Sequence, residues 1–189
     1  MTDTERKIIE AAIGTFVRYG AKKTTMGDIA EAAGVSRQTV YDAFGNKDEV
    51  IRAGIVYVTD QYLARVQARL EDCTTLAAQI DAYFEETVVK SFELLQTAAD
   101  PEELISGHNQ AGKAEIARSH VRHEALVTEL LAPHADMLSN MGESPASLAH
   151  LVVTAVMGFK YQATDVVDLK TLLKTLKRTI LLATGTSPT

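Results

Sequence analysis

Arg37, Gln38, Thr39, Tyr41 and Asp42 fall within six residues of one another, and side chains of these types could read a base-paired duplex. A guanidinium fork at Arg37 matches guanine or a phosphate, and the Gln38 amide can pair bidentately with adenine. The Thr39 hydroxyl can donate to phosphate while its methyl touches thymine. Tyr41 and Lys47 suit backbone phosphates, as do the Thr25 hydroxyl and the exposed amides at the start of the helix it caps. A second group, His120 and His123 with Glu124 adjacent, has the i, i+3 spacing of a metal pair. No third spaced ligand accompanies it, and a solvated or core histidine pair accounts for it better. Glu-x-x-His does not occur anywhere in the chain, nor does a glycine-rich phosphate loop or a nucleophile elbow. No cofactor and no metal are expected.

Helices must position these groups. The four prolines, Pro101, Pro133, Pro145 and Pro188, all lie beyond residue 100, and no run alternates with period 2 between turn signals, so the chain reads as all-α. Ile8, Ile9, Ala12, Ile13, Phe16 and Val17 form one face of a first helix that stops at Gly20. Thr25 and Asp28 make a capping-box-like start for a second, whose apolar side is Met26, Ile29, Ala30 and Ala33 and which ends at Gly34. Ser36 caps a third, Arg37 to Phe44, with Val40 and Phe44 inward. Asn46 and Glu49 open a long helix running to about Leu70. Further helices are expected from Leu76 to about Ala98, Pro101 to about Gly107, about Glu115 to Met141, Pro145 to about Ala163, and Asp168 to Ala183.

The second and third helices, joined through Ala33-Gly34-Val35-Ser36, describe a helix-turn-helix. Gly34 supplies the positive φ the turn needs, Ala30 the small residue at the crossing, and Val40 the apolar pin. The exposed start of the third helix then carries Arg37, Gln38, Thr39, Tyr41 and Asp42, where a recognition helix meets base edges. An ordinary three-helix unit with a solvated face fits the same pattern.

The run from Thr24 to Glu49 resembles the DNA-binding signature of the TetR family of transcriptional repressors. The matching positions are Thr24-Thr25, Ile29-Ala30, Ala33-Gly34-Val35-Ser36, Thr39-Val40-Tyr41, Phe44 and Asn46-Lys47-Asp48-Glu49. The resemblance covers about residues 5–52 and implies a homodimeric repressor that binds a palindromic operator and is released by a small molecule. It implies DNA contacts from Thr25, Gly27, Ser36, Arg37, Gln38, Thr39, Tyr41, Asp42 and Lys47. Two departures stand out. Family members often carry a basic residue at the place of Gly27, and Arg-His or similar at the places of Asp42 and Ala43. Asp42 is repelled by the DNA backbone unless it accepts from a cytosine amino group.

The division implied is a helix-turn-helix DNA-binding domain at 1–46 and a helical ligand-binding and dimerisation domain at 47–189. In the second part, Leu148, Leu151, Val152, Ala155, Val156 and Phe159 form one stripe, with Val153 and Met157 outside it. Leu169, Leu172, Leu173, Leu176 and Ile180 form another, with Leu181 and Leu182 beyond. Helices apolar over so much of their circumference are expected to pack against two-fold mates as a four-helix bundle, two well-buried monomer helices being the alternative. The resemblance also implies a small-molecule pocket among the middle helices, for which Tyr62, Arg65, Phe84, Val88, Phe92, His108, His123, Met157 and Tyr161 are the candidates. Core packing accounts for each of these singly.

Composition limits the rest. The 189 residues are 46% hydrophobic and 23% charged, which excludes intrinsic disorder. The lone cysteine, Cys73, excludes an intrachain disulfide and a cysteine zinc cage. The longest nearly uncharged stretch, Ala146 to Phe159, is 14 residues, short of the roughly 20 that a membrane helix needs. With a polar N-terminus, a cytoplasmic protein without a membrane partner is expected. The net charge of −6 is uneven. Residues 1–52 hold eight basic and eight acidic residues, so the acidity belongs to the remainder. A neutral headpiece implies modest non-specific DNA affinity, with specific binding resting on dimer avidity and a few placed donors. Two other classes compete: a metal-dependent helical-bundle enzyme, and a helical module whose helix-turn-helix contacts protein.

Overall fold

A computed structural model describes residues 1–106 and 109–187. Every regular element among them is helical: α1 (Asp3–Tyr19), α2 (Met26–Ala33), α3 (Arg37–Phe44), α4 (Lys47–Leu70), α5 (Leu76–Phe84), α6 (Lys90–Gln96), α7 (Pro101–Ser106), α8 (Gln110–Leu131), α9 (Ala135–Asn140), α10 (Pro145–Gln162) and α11 (Val166–Ala183). The chain is all-α.

Two compact units share these helices. The first comprises residues 1–61 and 94–119, the second residues 62–93 and 120–189. In the first unit, Ile8, Ile9, Ala12 and Phe16 of α1 meet Met26, Ile29, Ala30 and Ala33 of α2, Val40 of α3, and Val50 and Ile51 of α4. All are buried, and Leu104 of α7 packs on the same cluster. Each large side chain withdrawn in this way contributes roughly 1.5–3 kcal/mol. Segment 94–119 is also tied to the headpiece by polar contacts. The Ala99 N–H donates to the Val17 carbonyl at 2.8 Å, and the Lys22 N–H donates to Glu103 Oε1 at 3.0 Å.

The second unit is built around Tyr83, Phe84, Val88 and Phe92, with Val127, Leu131 and Leu138 and the inner faces of α10 and α11. The helix expected from Leu76 carries a π-helical turn at Glu85–Val89, which separates α5 from α6. Periodicity at 3.6 residues does not register one such widened turn.

Three boundaries differ from expectation. The helix predicted over Glu115 to Met141 begins at Gln110 and stops at Leu131. Ala132–His134 is a 3₁₀ turn around Pro133, and α9 follows. A proline inside a helix lacks the N–H and clashes with the preceding turn, so the break falls where it must. The last helix starts two residues before Asp168, because Asp165 is the cap. Its carboxylate accepts from the N–H groups of Val167 and Asp168, both at 2.8 Å.

Candidate nucleic-acid interface

The turn between α2 and α3 is formed as its residues require. Gly34 adopts φ 61°, the left-handed region that a side chain disfavours. Its N–H donates to the Glu31 carbonyl and that of Val35 to Ala30, both at 3.0 Å. Both helix starts are capped. Thr25 and Asp28 exchange reciprocal bonds, Asp28 N–H to Thr25 Oγ1 at 3.2 Å and Thr25 N–H to Asp28 Oδ2 at 2.7 Å. The Thr25 backbone donor, then its hydroxyl, hold the Asp28 carboxyl below its ordinary value. Ser36 Oγ accepts from the Thr39 N–H at 3.0 Å. Val40 is fully buried and pins α3 to the headpiece core.

That pin turns the remaining α3 positions outward. Ser36, Arg37, Gln38, Tyr41 and Asp42 are exposed, as is Thr25 at the start of α2. Tyr41 is 48% exposed. Thr39 is half-buried, and its hydroxyl lies 2.8 Å from that of Ser36. Gln38 Nε2 donates to Asp42 Oδ1 at 2.6 Å across one helical turn. The Arg37 guanidinium lies over Gly27. A Cβ at Gly27 would sit 2.4 Å from Arg37 Nη2, so a side chain there would displace it.

Lys47 is engaged within the fold. Its ammonium donates to the carbonyls of Ala21 at 3.0 Å and Thr24 at 3.2 Å, both on buried residues of the α1–α2 connection. Two of its three donors therefore hold the loop that leads into α2. Lys47→Met should leave those carbonyls without their donor and lower unfolding stability by about 2 kcal/mol. Chemical denaturation followed by circular dichroism measures this, and an unchanged midpoint would contradict it.

The residues singled out in the second unit divide into three environments. Phe84, Val88 and Phe92 are core. Tyr62 and Arg65 stack, the guanidinium carbon 4.8 Å from the ring centroid, and burial raises the Tyr62 phenol. Arg65 also reaches Glu86 of the π-helical turn, a carboxylate that Arg69 and Lys90 pair with as well. Sequence reasoning missed Glu86, since nothing in its spacing marks a buried carboxylate. Burial pushes Glu86 up, but hydrogen bonds from Lys90 and Arg69 outweigh this and leave it below its ordinary value. Glu86→Gln should cost about 1–2 kcal/mol, because its partners are half in solvent, and added salt should narrow the difference from wild type. Equal thermal midpoints for the two proteins at low salt would refute that.

The third environment surrounds His123. Its Nδ1 lies 3.3 Å from the Tyr83 hydroxyl, and the rings meet edge to face at 5.8 Å. Burial, then the charges of Lys160, His120 and Arg122, lower His123 to about 3. Lys160 donates to the Thr87 carbonyl at 3.2 Å, and burial pulls its ammonium down to about 8. Met157 is half-buried and Tyr161 exposed, while His108 lies outside the described residues.

Residues 8–53 match the family model described as bacterial regulatory proteins, tetR family. The likeness to that family is confined to these residues of the N-terminal part. The HTH-type transcriptional regulator TtgR of Pseudomonas putida is 43% identical over 65 residues, covering 33% of this chain and 31% of its own length. A probable acrEF/envCD operon repressor of Escherichia coli is 45% identical over 47 residues, covering 25% of this chain and 21% of its own. The chain thus matches less than a third of the length of these curated relatives. Likeness across the whole chain is structural. A TetR transcription regulator from Haloarcula marismortui superposes with a TM-score of 0.75 at 17% identity, covering 94% of this chain and 96% of that one. The fatty acid degradation regulator FadR of Bacillus halodurans gives 0.73 at 16%, covering 93% and 97%. At these identities the likeness establishes the fold.

Outside the matched segment, much of the apolar stripe on α10 and on α11 faces the chain's own core rather than a second copy. Leu148, Val152, Val156, Leu169, Leu173 and Ile180 are buried within their own chain, as are Val153 and Leu181. One chain's core therefore absorbs apolar surface that was expected to require a second copy. Of the remaining stripe positions, Leu151 is 57% exposed, and Ala155, Phe159, Leu172 and Leu176 are half-buried. On α10 the outward row is Leu151, Thr154, Ala155 and Gly158. No helix among the described residues is long and apolar enough to cross a membrane.

Proposed function

We propose that the chain is a homodimeric DNA-binding transcriptional regulator, a repressor that binds a palindromic operator and is released by a small-molecule ligand. One observation carries the reading. The tetR-family headpiece presents Arg37, Gln38, Tyr41 and Asp42 on the open side of a helix pinned from behind by Val40, the arrangement of a major-groove recognition helix. Thr25, Ser36 and Thr39 serve the helix starts and reach phosphate from there. In this division residues 1–46 hold DNA, and 47–189 take the ligand and the second copy.

Dimerisation follows from recognition geometry, since one eight-residue helix reads only half a site. Two copies place recognition helices about 34 Å apart on a palindrome. The outward row of α10, with Leu151 flanked by Thr154, Ala155 and Gly158, suits close helix approach more than the buried stripe does. Release by ligand is a coupled equilibrium in which ligand and operator each lower the other's affinity by the same factor. Aromatic and basic side chains around Tyr62, Arg65, His123 and Tyr161 offer the mixture of apolar body and placed polar groups that such ligands use.

Selection of bound sequences from a random duplex pool tests the core of this reading. A palindromic consensus, and affinity that falls steeply with salt, are expected, because each neutralised phosphate adds about 0.9 to the log–log slope. Failure to enrich any sequence would refute DNA recognition. A small molecule that stabilises the protein while leaving operator affinity unchanged would refute release by ligand.

A further inference from the structure

The exposed face of α3 divides its side chains between two tasks. Arg37, the residue best suited to guanine, lies back across Gly27 at the start of α2, in space that exists because residue 27 has no side chain. Its guanidinium there lies against the first turn of α2 and takes no part in the bond that joins Gln38 and Asp42. Those two are joined, Gln38 Nε2 to Asp42 Oδ1 at 2.6 Å, with both side chains exposed. The bond fixes which end of the Gln38 amide is which. Its carbonyl Oε1 and one N–H remain for DNA, and Asp42 keeps a second carboxylate oxygen as an acceptor.

We infer that the hydrogen-bonded Gln38–Asp42 pair is the base-reading unit of this protein and that it selects bases bearing a major-groove amino group. Gln38 Oε1 accepts from adenine N6 while its free N–H donates to N7, and the outer oxygen of Asp42 accepts from an amino group on the neighbouring pair. Cytosine N4 and adenine N6 share that donor chemistry. Thymine and guanine present only acceptors at the corresponding edge, and a carboxylate repels them. Arg37, seated on Gly27, takes a backbone phosphate and carries affinity without sequence information. Asp42 is thus an acidic residue retained on a surface that faces polyanionic DNA: it costs affinity for every sequence and returns discrimination between them.

The inference rests on the regulator reading, and duplex selection with the full-length protein separates the two. Wild type should enrich adenine at one half-site position and cytosine or adenine at the next, the ratio of the two telling which amino group Asp42 prefers. Asp42→Ala should bind non-specific duplex several-fold more tightly and lose discrimination at both positions by about tenfold or more. Asp42→Asn keeps an acceptor for Gln38 and should restore the adenine preference. Arg37→Ala should weaken all sequences alike and reduce the salt slope by about 1 without altering the consensus. Gly27→Ala displaces only the flexible end of Arg37, so the fold should survive it and the weakening should resemble that of Arg37→Ala. An Asp42→Ala protein that keeps the wild-type consensus, or an Arg37→Ala protein that loses a guanine preference, overturns the assignment. If wild type enriches nothing, the regulator reading falls and the assignment with it.

Discussion

Val40→Asp should abolish operator binding by unfolding the headpiece. Val40 has no exposed surface and sits among Ile8, Ile9, Ile29 and Ala30. A carboxylate in that cluster has no partner. Stranding it costs about 4 kcal/mol or more, against a total of roughly 5–15 kcal/mol for a domain of ordinary stability. Losing the valine's own burial adds about 1.5 kcal/mol. Val40→Ala removes only the two methyl groups and should cost about 2 kcal/mol, leaving a folded headpiece with operator affinity within a few-fold of wild type. Fluorescence anisotropy with operator duplex, beside denaturation followed by circular dichroism, distinguishes the two variants. If Val40→Asp retains operator affinity within threefold, Val40 does not hold the recognition helix in place.

The place of Val40 is legible in the sequence itself. Its role follows from helical phase alone: with Ser36 as cap and Phe44 at the far end, position 40 must face inward, and it does. The same holds for Thr25 with Asp28, and for Gly34, because these are local devices whose geometry lies within four residues. The long-range contacts were less legible. Lys47 has the look of a phosphate ligand, and two of its three donors also hold Ala21 and Thr24, more than twenty residues away. Gly27 looks like a missing cation until Arg37 is found lying across it. The stripes of α10 and α11 were visible, but a stripe says that a face is apolar and not which surface covers it. Here the chain's own core covers most of it. Glu86 was invisible for a related reason: a glutamate flanked by Glu85 and Thr87 becomes a buried ion-pair hub only once Arg65, Arg69 and Lys90 surround it.

Acid should weaken this protein well above the range in which carboxylates titrate, and His123 is the reason. Its folded value is lowered to about 3, chiefly by burial and further by Lys160, His120 and Arg122, against about 6.5 in an unfolded chain. A depressed folded value means that the unfolded state binds the proton first. The contribution is therefore intact above pH 6.5 and declines as pH falls from 6.5 towards 3. The slope is about 1.4 kcal/mol per pH unit, or about 2 kcal/mol between pH 6.5 and 5. His120 shifts in the same direction, for the same first cause, and adds to the loss. Lys160, at about 8, is charged in both states below pH 6.5 and contributes no slope there. Glu86 and Asp28 are held below their ordinary values, so their losses come at lower pH. His123→Gln keeps a side chain able to meet the Tyr83 hydroxyl but cannot take up the proton. Denaturation at pH 7.5 and pH 5 should therefore show a fall in wild type that is substantially smaller in His123→Gln, with His120→Gln removing a lesser share. Equal falls in wild type and His123→Gln would place the sensitivity elsewhere and show that the folded state accommodates the imidazolium after all.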